Sequence, residues 1–465
     1  MPTEPTEPAV RTDRADRADR ADRAGRPGDL RRVIAAALIG TTIEWYDFFL
    51  YTLASATVFA ALFFPTSDPL TGTLLSFLTY AIGFVARPLG AVVFGHFGDR
   101  LGRKRLLVIS LVLMGGATTL IGCLPTYATI GAAAPLLLTA LRLVQGFALG
   151  GEWGGAVLLV AERGDARRRG LHASWPQAGG ALGFVLAAGS LTLLADLAAP
   201  ATVLAWAWRL PFLASAVLVL VGLWIRLSVE ESDLVKRALA DRARQRDRAL
   251  PAAEVMHRHW RQVLLVVGAR IGENISFYII STFVLTYCTV VLRMPQKTAL
   301  NAVLIASAVE LALIPLFGVL ADRLGRRPVY LLGAIGTGLW IWPFFRLADS
   351  RDFGFLLLAT VVGVTFHAAM YAPQAAFVSE LFPTRVRYSG ASIGAQVASI
   401  AAGAPAPLIA VALLKAYGTA TPVALYVTAA VTVTVLTLLV APETRGRDLT
   451  SLTVGPAEPA AEPAH

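Results

Sequence analysis

The chain is predicted to be an all-α polytopic membrane protein, with twelve transmembrane helices in two six-helix repeats. Three observations carry this. The 465 residues are 56% hydrophobic and 15% charged, against about 25% charged in an ordinary soluble domain. Basic clusters recur in alternate loops; the loops between them are nearly bare of positive charge in the first half and less clean in the second, with Arg293, Lys297, Arg346, Arg351 and Lys415. One loop occurs twice: Gly95-His-Phe-Gly-Asp-Arg-Leu-Gly-Arg-Lys-Arg105 returns as Gly318-Val-Leu-Ala-Asp-Arg-Leu-Gly-Arg-Arg327.

Residues 1–30 are polar, with Asp-Arg-Ala recurring between Asp13 and Ala24. Such a low-complexity arm buries no core, and a disordered cytoplasmic segment is expected. Apolar runs long enough to cross a bilayer, which needs roughly 20 residues, then follow at approximately 33–63, 70–94, 106–124, 132–161, 171–197 and 206–228. A polar linker at 229–261 separates this half, 31–228, from a second, 262–441. The second half has runs at approximately 262–291, 299–321, 329–347, 354–378, 390–414 and 421–441, and a cytoplasmic tail, 442–465, closes the chain. The net charge of +10 has its explanation in the positive-inside rule. Both termini are expected in the cytoplasm of a plasma (inner) membrane protein, with no nucleic-acid partner. Cys123 and Cys288 are isolated within apolar runs, so neither a disulfide framework nor a metal site is expected, and both read as buried small side chains.

Ionisable groups inside apolar spans are the places to look for function. Glu44 and Asp47 lie three apart on one face of span one, Glu44 about eleven residues in from Arg31 and Arg32, near mid-membrane at ~1.5 Å per residue. Arg142 lies at similar depth in span four, with Gln145 and Glu152. A buried arginine there calls for a carboxylate partner, either as a fixed ion pair pinning spans one and four or as a cation exchanged between an acid and an anionic solute. Arg270 and Glu273, again three apart, share span seven with Asn274 and Tyr278. They pair with each other, or Arg270 clamps a substrate carboxylate in bidentate fashion. Glu310 and His367 read as interhelical hydrogen bonds, with His367 a minor proton candidate because histidine changes charge near neutrality. Glycines Gly146, Gly150, Gly151, Gly154 and Gly155 favour close helix packing. They lack phosphate-loop order, and the chain has no Gly-Lys dipeptide, which excludes a Walker-type ATP site.

The repeated loops have a mechanical reading. Gly95, Gly98 and Gly102 permit a tight turn, Asp99 can cap helix ends, and Arg103 can reach Glu162 at the inner end of span four. Asp322, Arg326 and Glu380 are the equivalent set in the second half. Ion pairs of this kind would hold an inner gate shut. A weaker echo pairs Glu44-Trp-Tyr-Asp-Phe-Phe49 with Glu273-Asn-Ile-Ser-Phe-Tyr278. Duplication of a six-span unit places a binding site at mid-membrane between the halves, expected to be lined by spans one, four, seven and ten.

On these residues the chain resembles the major facilitator superfamily, whose best-known motif is the Gly-x-x-x-Asp-Arg-x-Gly-Arg-Arg loop. The Glu44-to-Phe48 run EWYDF, the run from Arg142 to Ala156, and Pro442-Glu-Thr-Arg-Gly446 narrow the resemblance to the metabolite:H+ symporter branch. That branch carries proline/betaine, 2-oxoglutarate, citrate and shikimate. The resemblance covers about 31–447. One departure is Gly40-Thr41 where the branch commonly has Gly-Asn. The resemblance implies secondary active, proton-coupled symport of a small carboxylate or zwitterion by alternating access, in a monomer without cofactor. Glu44 and Asp47 would take the proton, and Trp45, Tyr46, Arg142, Gln145, Glu152, Arg270, Glu273, Asn274 and Tyr278 the solute. A drug/proton antiporter or uniporter of the same fold is the alternative, and a non-transporting receptor a third. No His-Glu-x-x-His motif and no soluble catalytic domain is present, so an enzyme is not expected.

Overall fold

A backbone crossing lipid must satisfy its own hydrogen bonds, so long apolar runs become helices. The computed structural model describes residues 27–65, 68–101, 103–150, 166–228, 251–383 and 386–447. Glu152, Glu162 and most of the linker lie outside these residues, as do the side chains of Asp99 and Arg103. The long helices are α1 (Pro27–Thr57), α2 (Pro69–Leu101), α3 (Arg103–Cys123), α4 (Ala133–Leu149), α5 (Arg169–Leu197) and α6 (Arg209–Ser228). The second half follows with α7 (Trp260–Val291), α8 (Gln296–Leu324), α9 (Arg326–Asp349), α10 (Phe353–Leu381), α11 (Ser389–Tyr417) and α12 (Thr421–Val440).

Among the described residues, eight of these are long and apolar enough to cross a membrane on their own, and α6 is a ninth when joined to Pro200–Ala207 across a 49° bend. Among the same residues, α3 and α4 contribute the shorter apolar helices Val108–Cys123 and Ala133–Leu149. Outward faces are apolar: Val85, Leu89, Leu136, Val217, Leu220, Trp224, Leu339 and Val440 are exposed, as side chains against hydrocarbon should be.

Helix α5 is the axle. It packs on α1 within its own half and on α8 and α10 of the other, while α2 meets α11 across the same interface. Close approach explains some of the glycines. A Cβ on Gly146 of α4 would lie 1.8 Å from the Gly83 carbonyl oxygen of α2. Between the halves, a Cβ on Gly170 would come within 2.7 Å of the Gly318 carbonyl oxygen, and one on Gly318 within 2.9 Å of that of Gly170.

Three details differ from the sequence reading. Span one stops at Thr57 and restarts as Phe59–Phe63 after a break at Val58. The first repeated loop is not a turn from Gly95 onward, because α2 stays helical to Leu101. In the second copy α8 likewise runs to Leu324, and the reversal is made by Gly325 alone, at φ +112°. Hydropathy stops where lipid stops, but helical hydrogen bonding continues beyond it. Cys288 is buried, whereas Cys123 at the end of α3 is exposed.

Candidate functional site

A central cavity of about 40 Å³ opens between the halves. Its lining comes from α1 (Trp45, Phe49), α2 (Phe84, Arg87), α5 (Gly180, Ala181), α7 (Arg270, Glu273, Asn274, Phe277, Tyr278), α8 (Glu310), α10 (His367, Tyr371) and α11 (Ser399). The expected spans one, seven and ten contribute, and span four does not among the described residues. Spans two, five, eight and eleven take part instead. The helix of α7 loosens into wider turns at Ile279–Phe283 directly beyond Tyr278, and α11 does so at Ser399–Gly403. Such turns often mark functional places in helices.

The polar floor of the cavity belongs to the second half. Glu273 sits one turn from Arg270, whose Nε is 3.9 Å from its Oε2. The same Oε2 accepts from Asn274 Nδ2 at 3.0 Å and Gln374 Nε2 at 2.9 Å. Gln374 also donates to the Tyr330 hydroxyl at 3.0 Å, and that hydroxyl donates to the Ala269 carbonyl. The other carboxylate oxygen of Glu273 is 3.3 Å from His367 Nε2, and His367 Nδ1 contacts Glu310 Oε1. Six buried polar side chains from α7, α8, α9 and α10 thus share one hydrogen-bond chain, which Tyr371 and Phe277 flank with their rings.

On the opposite wall stands Arg87, 5% exposed. Its guanidinium lies 3.8 Å from the Phe84 ring centre and 4.8 Å from that of Phe48. Its Nε and Nη2 are buried without a hydrogen-bond partner among the described residues. Arg87 is not among the candidate residues that the sequence singles out; its place in the cavity lining is given by the structure. A single arginine inside an apolar run, followed by Pro88, was the available signal.

Arg142 differs most from expectation. No carboxylate lies within ion-pairing distance of it among the described residues. Its Nη1 donates to Gln145 Oε1 at 3.0 Å, and Gln145 Nε2 donates to Thr118 at 2.7 Å. Its charge is instead held by the rings of Tyr51, Phe48 and Tyr80, at 4.3, 4.8 and 4.9 Å, a cation–π cage. Asp47, 1% exposed, turns away toward α6, where Ser215 donates to its Oδ1 at 2.5 Å. Tyr46 points the same way and donates to the Pro211 carbonyl at 2.7 Å. Glu44 is buried and does not line the cavity. The face shared by Glu44 and Asp47 therefore packs within the first half, and only Trp45 and Phe49 of this segment reach the cavity.

At the face bearing the basic loops, the halves are locked together. Glu380 accepts from Arg169 Nη1 at 2.8 Å, from Arg326 at 3.4 Å and from Thr444 Oγ1 at 2.7 Å. Arg326 also holds Asp322 at 2.7 Å. Asp322 caps a helix end, but one in the other half: its two oxygens accept from the Gly170 and Leu171 amides that open α5, both at 2.8 Å. Glu443 caps α9 in the same manner, accepting from the Arg326 and Arg327 amides at 3.0 Å. The segment expected as a tail, 442–447, is thus built into this lock, and Arg447 accepts from Arg169 through its carbonyl. Arg169 completes the set; in the sequence it follows Glu162 by seven residues as Arg387 follows Glu380, and the structure pairs it with Glu380 of the other half. On the far side of the cavity Phe49, Phe184 and Phe277 form a layer with centroids 4.9–5.7 Å apart. Beyond it, Asp196–Lys297 (2.5 Å) and Asp68–Lys415 (2.7 Å) bridge the halves at exposed positions.

One sequence pattern is excluded by context. Gly390-Ala-Ser-Ile-Gly394 has nucleophile-elbow spacing, yet it lies inside a helix, and that motif needs a strand-to-helix turn. Among the described residues no cluster of His, Cys, Asp or Glu could hold a metal ion.

A duplicated helical bundle with a central cavity, locked on one face and bridged on the other, is a secondary transporter. The chain belongs to the sugar (and other) transporter family of the major facilitator superfamily, whose model matches residues 33–454. It is 39% identical to the shikimate transporter of Escherichia coli K12 over 411 residues, 88% of this chain and 94% of that one. It is 41% identical to the inner membrane metabolite transport protein YhjE of the same organism over 428 residues, 90% and 95% of the two chains. The proton:xylose symporter XylE shares the fold, with a TM-score of 0.72 at 18% identity over 91% of this chain and 98% of that one.

Proposed function

We propose that the protein is a proton-coupled symporter of a small organic carboxylate, working by alternating access in a bacterial inner membrane with both termini cytoplasmic. The observation that carries the substrate class is Arg87. A buried guanidinium with two unpartnered N–H groups, lining the same cavity as Arg270, is matched by a planar anion that takes two parallel hydrogen bonds. Shikimate, the solute in the name of a relative, is such an anion. Its hydroxyls would find Asn274, Tyr278, Tyr371 and Ser399 in the lining. A zwitterion is the second reading, favoured by the rings of Trp45, Phe49 and Phe277, which can face a quaternary ammonium.

Uptake into proteoliposomes under an imposed pH gradient tests the proposal, with labelled shikimate and labelled glycine betaine compared side by side. Accumulation of shikimate that a protonophore abolishes is the expected result. Betaine accumulation alone would move the substrate class to zwitterions. Transport indifferent to the pH gradient would point to a uniporter, and accumulation driven by an outward-directed proton gradient to an antiporter.

A further inference from the structure

We propose that the coupled proton is carried by the Glu310–His367–Glu273 chain, not by the acids of α1. This deepens the symport reading and rests on it. The argument begins with hydrogen-bond chemistry. His367 Nδ1 contacts a Glu310 oxygen and Nε2 lies 3.3 Å from a Glu273 oxygen. A neutral imidazole has one N–H and one bare nitrogen, and an ionised carboxylate can only accept. Two carboxylates on opposite ring nitrogens therefore need one proton more than a neutral histidine between two anions supplies. Either the ring is an imidazolium donating to both acids, or one acid is protonated and donates to the ring. In each case the three groups hold an extra proton as a unit.

The surroundings give that proton a role. The charged and titratable groups around His367 in the cavity are Arg270, Glu273 and Tyr278 from α7, Glu310 from α8, Tyr371 from its own helix and Arg87 from α2. With the proton present, Arg270 and His367 balance Glu273 and Glu310, and Arg87 leaves the cavity with one net positive charge. A monoanionic solute is then attracted. Without the proton the lining is neutral overall, and Glu273 competes with the solute for Arg270, from which it is 3.9 Å away. Proton and anion therefore raise each other's affinity, and by linkage each does so by the same factor. This is the sign that symport requires. Glu44 and Asp47 lack the placement: neither lines the cavity, and Asp47 is turned to Ser215 on α6.

Two measurements test the relay. In proteoliposomes with labelled shikimate, His367→Gln and Glu310→Gln are expected to lose the pH-driven component of uptake by at least tenfold, and by a larger factor than they lose counterflow at equal pH. Relay variants that still accumulate shikimate at the wild-type level, or loss of that component in Asp47→Asn alone, would overturn the proposal. Wild-type protein that moves shikimate without responding to pH would instead sink the symport reading. In that event the relay is decided without solute, by NMR of the full chain labelled with ¹⁵N-histidine and assigned by the signal missing from His367→Gln. Both ring nitrogens must be protonated or strongly hydrogen-bonded near pH 7, and a nitrogen that is neither overturns the relay.

Discussion

Arg87 and Arg142 are both buried cations beside aromatic rings, and neither has a carboxylate partner among the described residues, yet they carry different expectations. Arg142 is 1% exposed and enclosed by Tyr51, Phe48 and Tyr80, with Gln145 bridging it to Thr118. Arg87 faces the cavity. Hydrogen bonds to charged groups contribute about 1.5–3 kcal/mol, roughly 10- to 150-fold in Kd. Arg87→Gln should weaken solute binding by that factor, read by calorimetry on purified protein. Arg87→Lys should recover only part of it, because an ammonium lacks the planar fork. An unchanged Kd in Arg87→Gln would remove this residue from the solute site. Arg142→Gln should instead lower the melting temperature, because its cation–π contacts are internal to the first half.

At the scale of elements, the crossing of α5 with α8 decides whether the basic face can close. Gly170 and Gly318 meet through backbone there. A Cβ at either position meets the other glycine's carbonyl oxygen within 2.9 Å, and side chains as well: Ser174 at Gly318, Asp322 and Arg326 at Gly170. Gly318→Val should therefore hold the halves apart on this face, read as faster labelling of an engineered cysteine lining the basic face. Arg169→Ala should do the same by another route. Removing one partner of a buried ion pair costs about 3–5 kcal/mol, and Glu380 keeps Arg326 and Thr444 as partial compensation. A labelling rate raised by at least about tenfold is expected from even half that cost. Labelling at the wild-type rate in both variants would refute the lock.

For the whole molecule, the two faces differ in how solvent reaches them. The Arg169–Glu380 pair is buried, whereas Asp68–Lys415 and Asp196–Lys297 are exposed. Salt screens exposed pairs, with a Debye length of about 10 Å at 0.1 M and about 3 Å at 1 M. Raising salt between these values should therefore favour opening at the Asp68 face and leave the basic face closed. The pH response of this latch follows from Asp68, whose carboxyl hydrogen bonds from Lys415 and Thr71 hold down to about 2. A carboxyl held below its ordinary value contributes above that value, about 3.9, and the contribution is lost as pH falls through about 2. Between about pH 5 and pH 8 the latch should respond to salt and not to pH. Distance measurements between spin labels beside Asp68 and near the end of α11 beside Lys415 would show this, and a distance unchanged by salt would argue against it.

By itself the sequence determined the membrane class, the two-fold repeat and the family-bearing loops. Each of these is written locally, in apolar runs, loop charge and a recurring string. It also marked Arg270, Glu273, Asn274 and Tyr278, because a polar or ionisable group inside an apolar span is conspicuous wherever the helix turns. What it left open was direction. Hydropathy does not say which face of α1 meets the cavity, so Glu44 and Asp47 looked central, while packing against α5 and α6 leaves only Trp45 and Phe49 there. Nor could it show that Glu310 and His367, 57 residues apart, close a chain on Glu273, or that Asp322 caps a helix of the other half. Those contacts exist only once the helices are placed, because a side chain's partner across a bundle is set by helix rotation and depth, which three-dimensional packing fixes.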